Sequence, residues 1–371
     1  MAMSVEPMIT TVIPTYRRPE LLKRAIRSVL DQTYSNFKLC VYDNASNDET
    51  GRLVNAIASR DSRVHYYCHK ENIGSQENFH FGLSRVDTAF FNLLSDDDFL
   101  LPGFFDSALT ALVNSPEAAF FSGGLVRANP DGRVMGCPRY GSECQRIYSP
   151  PLLFYTLAPY TRTWTSILFR WTTVKSVGGL RKEIGYSFPV DLLLRLATRY
   201  RAVLSDAPCA VFTVHPDSIS CAESAEALEA LLDLALFDSV NQAIESASTE
   251  MIVTNEEAAG MKAMFRSLTE RNLFRNAFSL IKRKRLAAAL RSSNILREVF
   301  RRKDTAAMIH FASMNNEIGD LIRLGIRTIG TISEVWSAMH RAEGCPDHSR
   351  LVKNRISQLR SYDCEPAGEV A

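Results

Sequence analysis

The residues of this chain best placed to do chemistry are Ser95-Asp96-Asp97-Asp98. They follow an apolar run, Ala89 to Leu94, and precede Phe99-Leu100-Leu101-Pro102-Gly103. The run reads as a short buried strand ending in a turn. Three adjacent carboxylates at such an end repel one another at neutral pH. A divalent cation removes that repulsion, because carboxylate oxygens are preferred ligands of Mg²⁺ and Mn²⁺, and it could in turn hold a diphosphate. A solvated turn with a helix N-cap is the competing reading, since Asp suits both places. Position favours the metal, because open α/β sheets bind ligands beyond the carboxyl ends of their strands. Asp43 stands at the end of another expected strand, Phe37 to Tyr42, and opens the polar turn Asp43-Asn44-Ala45-Ser46-Asn47-Asp48. A carboxylate there can accept a hydrogen bond from a base N–H or a ribose hydroxyl. An Asx-turn would use the same residue.

The elements that position these groups alternate. Ile9 to Ile13 is rich in β-branched residues and predicts a buried first strand, ended by Pro14-Thr15-Tyr16. Pro19 opens a helix whose Leu21, Leu22, Ala25, Ile26, Val29 and Leu30 share one face. After the second strand come a helix to about Ser59, a strand at Val64 to Tyr67, a turn at Asn72-Ile73-Gly74 and a helix from Gln76 to Ser84. This order predicts a mostly parallel sheet with helices on both faces. Farther on, Ala118 to Ser122 and Gly124 to Arg127 read as strands, and Pro130-Asp131-Gly132 as a hairpin turn. Pro150-Pro151 reads as a connection, and Val211 to Val214 as a late strand ending at His215-Pro216.

After about Cys221, Ala, Leu, Glu, Arg and Lys dominate and helical patterns follow, at Ala225 to Ala247 and Glu256 to Arg285. The expected organisation is therefore an α/β domain over 1–221 and an α-helical domain over 222–371, with a frayed end from Cys364 to Ala371. With 371 residues and 46% hydrophobic content the chain can bury a sizeable core. A net charge of +2 implies no nucleic-acid partner, and the eight cysteines contain no CxxC pair. They are expected to be reduced thiols in a cytoplasmic protein. The start of the chain does not read as a secretory signal, and no run of about 18 apolar residues predicts a transmembrane helix.

Taken in order, these motifs resemble family 2 inverting glycosyltransferases of the GT-A fold, over roughly Met8 to Ser220. The series is Val12-Ile13-Pro14-Thr15-Tyr16, Ser28 to Tyr34, Val41 to Asp48, Asn72-Ile73-Gly74 and the acidic tetrad. Val177-Gly178-Gly179-Leu180, Val190 to Arg195 and His215 to Ser220 complete it. The resemblance implies a Rossmann-like mixed sheet flanked by helices. It also implies metal-dependent transfer of a sugar from a nucleotide-diphospho-sugar, UDP-linked above all, to an acceptor hydroxyl with inversion. The acceptor class would be a bacterial surface glycan or a lipid-linked oligosaccharide, and the enzyme of hexosyltransferase type.

By the same resemblance Pro14, Thr15, Tyr16, Asp43, Asn72 and Gly74 bind the nucleotide, with Asp96 facing the ribose. Asp97 is the first metal ligand for Mn²⁺ or Mg²⁺, Asp98 supports it, and His215 approaches the metal or the diphosphate. Asp191 is the catalytic base, although a helix N-cap is its plainer use. Arg195, four residues on, could reach back to it. Ser95 and Val190 stand where the family usually has acidic residues. Trp164 offers a ring for a sugar face or for the core.

Two other classes compete. A metal-dependent nucleotidyltransferase would need glycines after the first strand, and Pro14 to Pro19 has none. A non-catalytic sugar- or polymer-binding protein would explain Ser95 and Val190. From Arg266 to Lys303, 12 Lys or Arg face only Glu270 and Glu298. Phe265, Leu268, Leu273, Phe274, Phe278 and Ile281 interleave with these charges, densest at Lys282-Arg283-Lys284-Arg285. Such helices suit peripheral contact with the inner membrane face, or a solvated face packed on the catalytic domain or in a homodimer.

Overall fold

The computed structural model describes residues 8–136, 145–159, 163–215, 234–282 and 286–301. The expectations for Pro216 to Ser220, Arg283 to Arg285, the boundary at Cys221 and the end of the chain lie outside them. The first strand, β1 (Ile9–Thr15), is buried at all seven positions. It lies between two parallel partners, β2 (Phe37–Asp43) and β4 (Phe90–Leu93), and β3 (Val64–Cys68) extends the parallel part beyond β2. Side chains alternate between two cores, as a pleated strand requires. Val12, Phe91 and Leu93 enter one core, while Ile9, Ile13 and Phe90 enter the other.

The helices follow from their apolar faces. In α1 (Pro19–Leu30) proline occupies the first turn, and Leu22, Ala25, Ile26 and Val29 are buried. Between β2 and β3 runs α2 (Thr50–Ala58), and α3 (Ser75–Ser84) precedes β4. Register places Thr15 opposite Asp43 and Val12 opposite Leu93. The carboxyl ends of β1, β2 and β4 therefore share one edge, and the acidic run begins just past β4.

Beyond β4 the sheet is mixed. The complete order is β3-β2-β1-β4-β9-β6-β10-β5. Here β5 is Phe99–Leu100, β6 Ala118–Ala128, β9 Ile167–Arg170 and β10 Arg201–Thr213. Strand β9 runs antiparallel to both β4 and β6, so the expected parallel pairing holds through the first four strands and returns between β6 and β10. Short β7 (Val134–Gly136) and β8 (Arg146–Tyr148) pair at the margins, β7 returning on β6 after the expected hairpin turn. The two strands expected either side of Gly123 form one continuous strand. A Cβ at Gly123 would meet Cys209 Sγ at 2.3 Å, and one at Gly124 would meet Asp206 O at 2.3 Å. The glycines mark close approach of β10, not a break.

Helices α4 (Phe104–Val113), α5 (Leu152–Leu157), α6 (Trp171–Ser176) and α7 (Phe188–Ala197) cover the sheet. The chain divides into compact units at Met1–Arg266 and Ser267–Ala371. Helix α8 (Leu234–Thr249) lies in the first, where Leu236, Val240, Ile244 and Ala247 join the core that holds Leu193 and Leu196 of α7. Helix-rich sequence thus begins before packing on the α/β core ends. The long α9 (Asn255–Lys282) contributes Met261 and Phe265 to that same core. In the second unit Leu273, Phe274 and Leu280 are buried, as are Ala289 and Leu296 of α10 (Leu286–Glu298). Phe265, Leu273 and Phe274 therefore face inward and form no exposed apolar stripe among the basic charges. Among the described residues no helix is long and apolar enough to cross a membrane.

Gly82 on α3 lets the helix lie directly on β1 and β2: a Cβ there would stand 2.6 Å from Val12 Cγ1 and 2.9 Å from Tyr42 Cδ2. Alanine improves helix propensity by about 1 kcal/mol, but overpacking costs about 1–3 kcal/mol. Gly82→Ala should therefore lower stability by up to about 2 kcal/mol in urea unfolding. A stabilised variant would mean that the helix can lift freely.

Candidate active site

The loops that follow β1 and β2 are tied to each other. Asn44 N donates to Thr15 O (3.0 Å) and Arg17 N to Ser46 Oγ (2.8 Å). Arg17, Ala45 and Asn47 all take positive φ, at 54°, 59° and 53°. Non-glycine residues held there carry strain, and such strain gathers where a site needs a fixed backbone shape. Pro14 is buried within β1, while Tyr16 is 37% exposed and leaves a ring open at the strand end. The Arg17 guanidinium stands 5.0 Å from the centre of that ring.

Asp43 is buried and closes its own turn. Its Oδ1 accepts from Ser46 N (2.9 Å) and Ser46 Oγ (2.6 Å), and its Oδ2 accepts from Tyr66 Oη (2.7 Å). Burial, then the Asp43 carboxylate, push the Tyr66 phenol well above its ordinary pKa. The Asx-turn reading is thus realised, yet a carboxylate has about four lone-pair sites and can accept again. Asn72 and Gly74 reach the same edge through Asn44. Asn44 Nδ2 donates to Asn72 Oδ1 (2.9 Å), and Ile73 N donates to Asn44 Oδ1 (2.8 Å). Gly74 N also donates to Asn72 Oδ1 (2.9 Å), with Gly74 at φ 88°.

The three aspartates diverge. Asp96 Oδ2 accepts from Thr15 Oγ1 (2.8 Å), which joins the acidic run to the end of β1. Asp97 Oδ2 stands 3.1 Å from His215 Nε2, at the end of β10. Asp98 is wholly buried and turned inward: Oδ2 accepts from Thr165 Oγ1 (2.6 Å) and Oδ1 from Thr213 N (2.9 Å). With both oxygens held, Asp98 braces the run from the buried side. Burial first, then Asp97, push the Asp98 carboxyl up to about 8, and the same two causes raise Asp96 to about 6.

Two arginines, not foreseen from the sequence, offset these charges. Arg24 Nη2 donates to Asp97 O (2.7 Å) and Thr213 Oγ1 (2.8 Å), with its guanidinium 4.7 Å from the centre of the Phe99 ring. Arg18 Nη1 reaches both Asp96 Oδ1 (3.2 Å) and Asp97 Oδ2 (3.1 Å). The usable signal was Arg17-Arg18 directly after the strand-end Thr15-Tyr16.

The donor set suits Mn²⁺ or Mg²⁺ in a limited way. A carboxylate oxygen and an imidazole nitrogen converge at Asp97 and His215, and Asp96 lies alongside. Among the described residues no cluster of three or more His, Cys, Asp or Glu side chains could enclose an ion. Two protein ligands with the rest from phosphate and water is the usual habit of Mg²⁺ at nucleotide sites.

Asp191 lies elsewhere in the molecule's chemistry. It is 0% exposed in the first turn of α7. Its Oδ2 accepts from Arg195 Nε (2.8 Å) and Nη2 (2.6 Å), and Ser239 Oγ donates to its Oδ1. Arg195, 1% exposed, also donates to the carbonyls of Val177 and Gly179, the latter at 2.6 Å. A general base needs a lone pair open to the acceptor, and each Asp191 oxygen already accepts from Arg195 or Ser239. Trp164 is half-buried among Phe79 and Phe188, with ring centres 4.6 and 5.1 Å away.

Removing one member of a buried ion pair costs about 3–5 kcal/mol. Asp191→Ala should lose stability on that scale in chemical unfolding; a loss well under 1 kcal/mol would mean that the ion pair adds little to the fold. The raised carboxyls predict a pH effect as well. Stability from Asp96 and Asp98 is full below their ordinary 3.8 and lost as pH rises through their folded values near 6 and 8. In EDTA the melting temperature should fall from pH 5 to 8.5, and Asp98→Asn should flatten the upper part. An unchanged slope in that variant would refute the assignment.

Comparison with known proteins agrees with this layout. Residues 10–169 match the model of Glycosyl transferase family 2. A Campylobacter jejuni protein, GalNAc(5)-diNAcBac-PP-undecaprenol beta-1,3-glucosyltransferase, is 31% identical over 121 residues, 32% of this chain and 39% of that one. An uncharacterized glycosyltransferase of Rickettsia typhi is 27% identical over 202 residues, 52% of this chain and 61% of its own length. The chain thus spans less than two thirds of these relatives. Among solved structures, S. aureus TarS 1–349 in complex with UDP superposes with a TM-score of 0.59 at 14% identity, over 86% of this chain and 91% of that one. The mannosyltransferase PcManGT from Pyrobaculum calidifontis, with GDP-Man and Mn²⁺, gives 0.50 at 15% identity, over 84% and 88%. At such identities these structures speak for the fold alone. By its motif series, its family match and its mixed α/β fold, the chain resembles the family 2 glycosyltransferases of the GT-A type.

Proposed function

We propose that this protein transfers a sugar from a nucleotide-diphospho-sugar to an acceptor hydroxyl. The observation that carries the reading is the meeting of Asp97 with His215, 3.1 Å apart, on the strand edge that also holds Thr15, Asp43 and Asp96. Tyr16 would stack on the base, and Asp43 would accept from a base N–H. Asn72 and Gly74 would line the same pocket edge, with Asp96 toward the ribose. Asp97 and His215 would hold Mn²⁺ or Mg²⁺, which when bound offsets charge on a departing diphosphate. Attack of the acceptor oxygen opposite the nucleotide would break the bond from the anomeric carbon to the diphosphate and invert that carbon, the hydroxyl proton passing to a base, the role the resemblance gives Asp191.

Asp191 would serve this reaction by position as well. It fixes Arg195, and Arg195 ties down the carbonyls on either side of Gly178, so the turn at Gly178-Gly179 keeps one shape. UDP is the favoured donor nucleotide, supported by the TarS complex. A glycan or lipid-linked acceptor is supported by the name of the Campylobacter relative. An enzyme using a lipid-linked acceptor would work at the inner membrane face from the cytoplasm. The occupied state of Asp191 also favours a second reading, a sugar-binding protein without turnover.

Calorimetric titration of UDP, GDP and dTDP, each with and without Mn²⁺, tests the proposal on wild type and Asp97→Ala. One nucleotide should bind in an Mn²⁺-dependent way, and the substitution should weaken it by at least about tenfold, the worth of one charge-assisted contact. Folded protein that binds no diphosphate would end the transferase reading. Binding without sugar transfer or donor hydrolysis would select the non-catalytic alternative.

A further inference from the structure

We propose that Tyr66, on the edge strand β3, is a positioning residue for the nucleobase. Its hydroxyl, together with Ser46, holds Asp43 as an acceptor, so that the site takes a base with a ring N–H and rejects one with a bare ring nitrogen in that place. The inference rests on the nucleotide-sugar reading of the site and adds the residue that enforces the choice of base.

Three donors fix the Asp43 carboxylate. Ser46 N and Ser46 Oγ reach Oδ1 at 2.9 and 2.6 Å, and Tyr66 Oη reaches Oδ2 at 2.7 Å. The amide has only its proton to give. Ser46 Oγ accepts from Arg17 N at 2.8 Å and turns its own proton to Asp43. Burial, then Asp43, push the Tyr66 phenol well above its ordinary pKa, so it keeps its proton and donates it. A carboxylate has about four lone-pair sites, and these donors leave roughly one, on Oδ2. Uracil and guanine present a ring N–H at their pairing edge, where cytosine and adenine present a bare nitrogen. A bare nitrogen would set acceptor against acceptor beside a buried carboxylate, and an unmet buried acceptor is costly.

The fold places Tyr66 for this contact. β3 lies beside β2 with Tyr66 opposite Val41 and Cys68 opposite Asp43. With a side-chain period of two, Tyr66 and Asp43 stand on the same face of the sheet. Gly51, in the first turn of α2, leaves the hydroxyl its room, because a Cβ there would stand 3.1 Å from Tyr66 Oη. Alanine would suit the helix better than glycine, so the helix gives up propensity where the tyrosine hydroxyl comes closest.

Calorimetry in the presence of Mn²⁺, comparing UDP with CDP and GDP with ADP, tests the inference on wild type, Tyr66→Phe and Gly51→Ala. Within the pair that binds, wild type should favour the N–H base by at least about tenfold. Tyr66→Phe keeps the ring but frees Oδ2 to carry a proton toward a bare nitrogen. Its preference should fall several-fold, with CDP or ADP gaining affinity while UDP or GDP loses it. Gly51→Ala retains the tyrosine and displaces its hydroxyl, so the preference should fall in the same direction by less. A purely structural role for Tyr66 would weaken both bases of a pair alike, and that result overturns the inference. If Tyr66→Phe does not fold, an unchanged preference in Gly51→Ala overturns it instead. A wild type that binds CDP as tightly as UDP, or ADP as tightly as GDP, also refutes it and leaves the transferase reading standing. If wild type binds no nucleoside diphosphate, both fall.

Discussion

Three consecutive carboxylates at the buried end of β4 are the constraint on which the rest of this structure depends. Charge and burial oppose each other there, because a desolvated carboxylate is costly unless hydrogen-bonded or paired. Each aspartate is satisfied from a different part of the chain. Thr15 and Arg18 come from the end of β1 and the loop after it, Thr165 from the turn before β9, and Thr213 and His215 from the end of β10. The strand order explains how they converge. β9 pairs with β4, with Asn92 opposite Leu168. The Asn92 amide donates to the carbonyls of Thr165 and Ile167 at 3.1 and 2.9 Å. A polar side chain inside a central strand thereby holds Thr165 where its hydroxyl reaches Asp98. The antiparallel insertion of β9 is thus part of how the acidic run is tolerated.

The parts legible in the sequence are those decided locally. β1 to β4 and α1 to α3 lie close to where alternation, helical spacing, Pro19 and the turn at Asn72-Ile73-Gly74 place them. Each is set by a few neighbouring residues, and β1 with β2 and β2 with β3 pair across a single intervening helix, β4 alone returning to β1. The second half was less legible because its pairings are long-range. Nothing local tells that β9 will separate β4 from β6, or that Gly123 and Gly124 admit β10 instead of breaking a strand. The acidic run itself was plain from composition and position. The different duties of its members were not, since Asp98 is defined by Thr165 and Thr213, far along the chain. Arg18 and Arg24 were passed over for the same reason: a basic residue near a strand end shows no partner until the fold supplies one.

Asp191 and the Asp96–Asp97 pair show how one chemistry serves two purposes. At Asp191 the guanidinium of Arg195 meets the carboxylate through two nitrogens, with 0% and 2% side-chain exposure, and Ser239 completes it. Water cannot compete for that pair, and parting it would strand a buried charge. Burial also pulls the Arg195 pKa down, opposed by Asp191 itself, so the pair is worth most while it stays together. At Asp96 and Asp97 the same two groups meet through a single shared nitrogen at longer range, with solvent on the arginine side. Distance, denticity and exposure, more than residue type, therefore separate the carboxylate that anchors a turn from those at the strand edge.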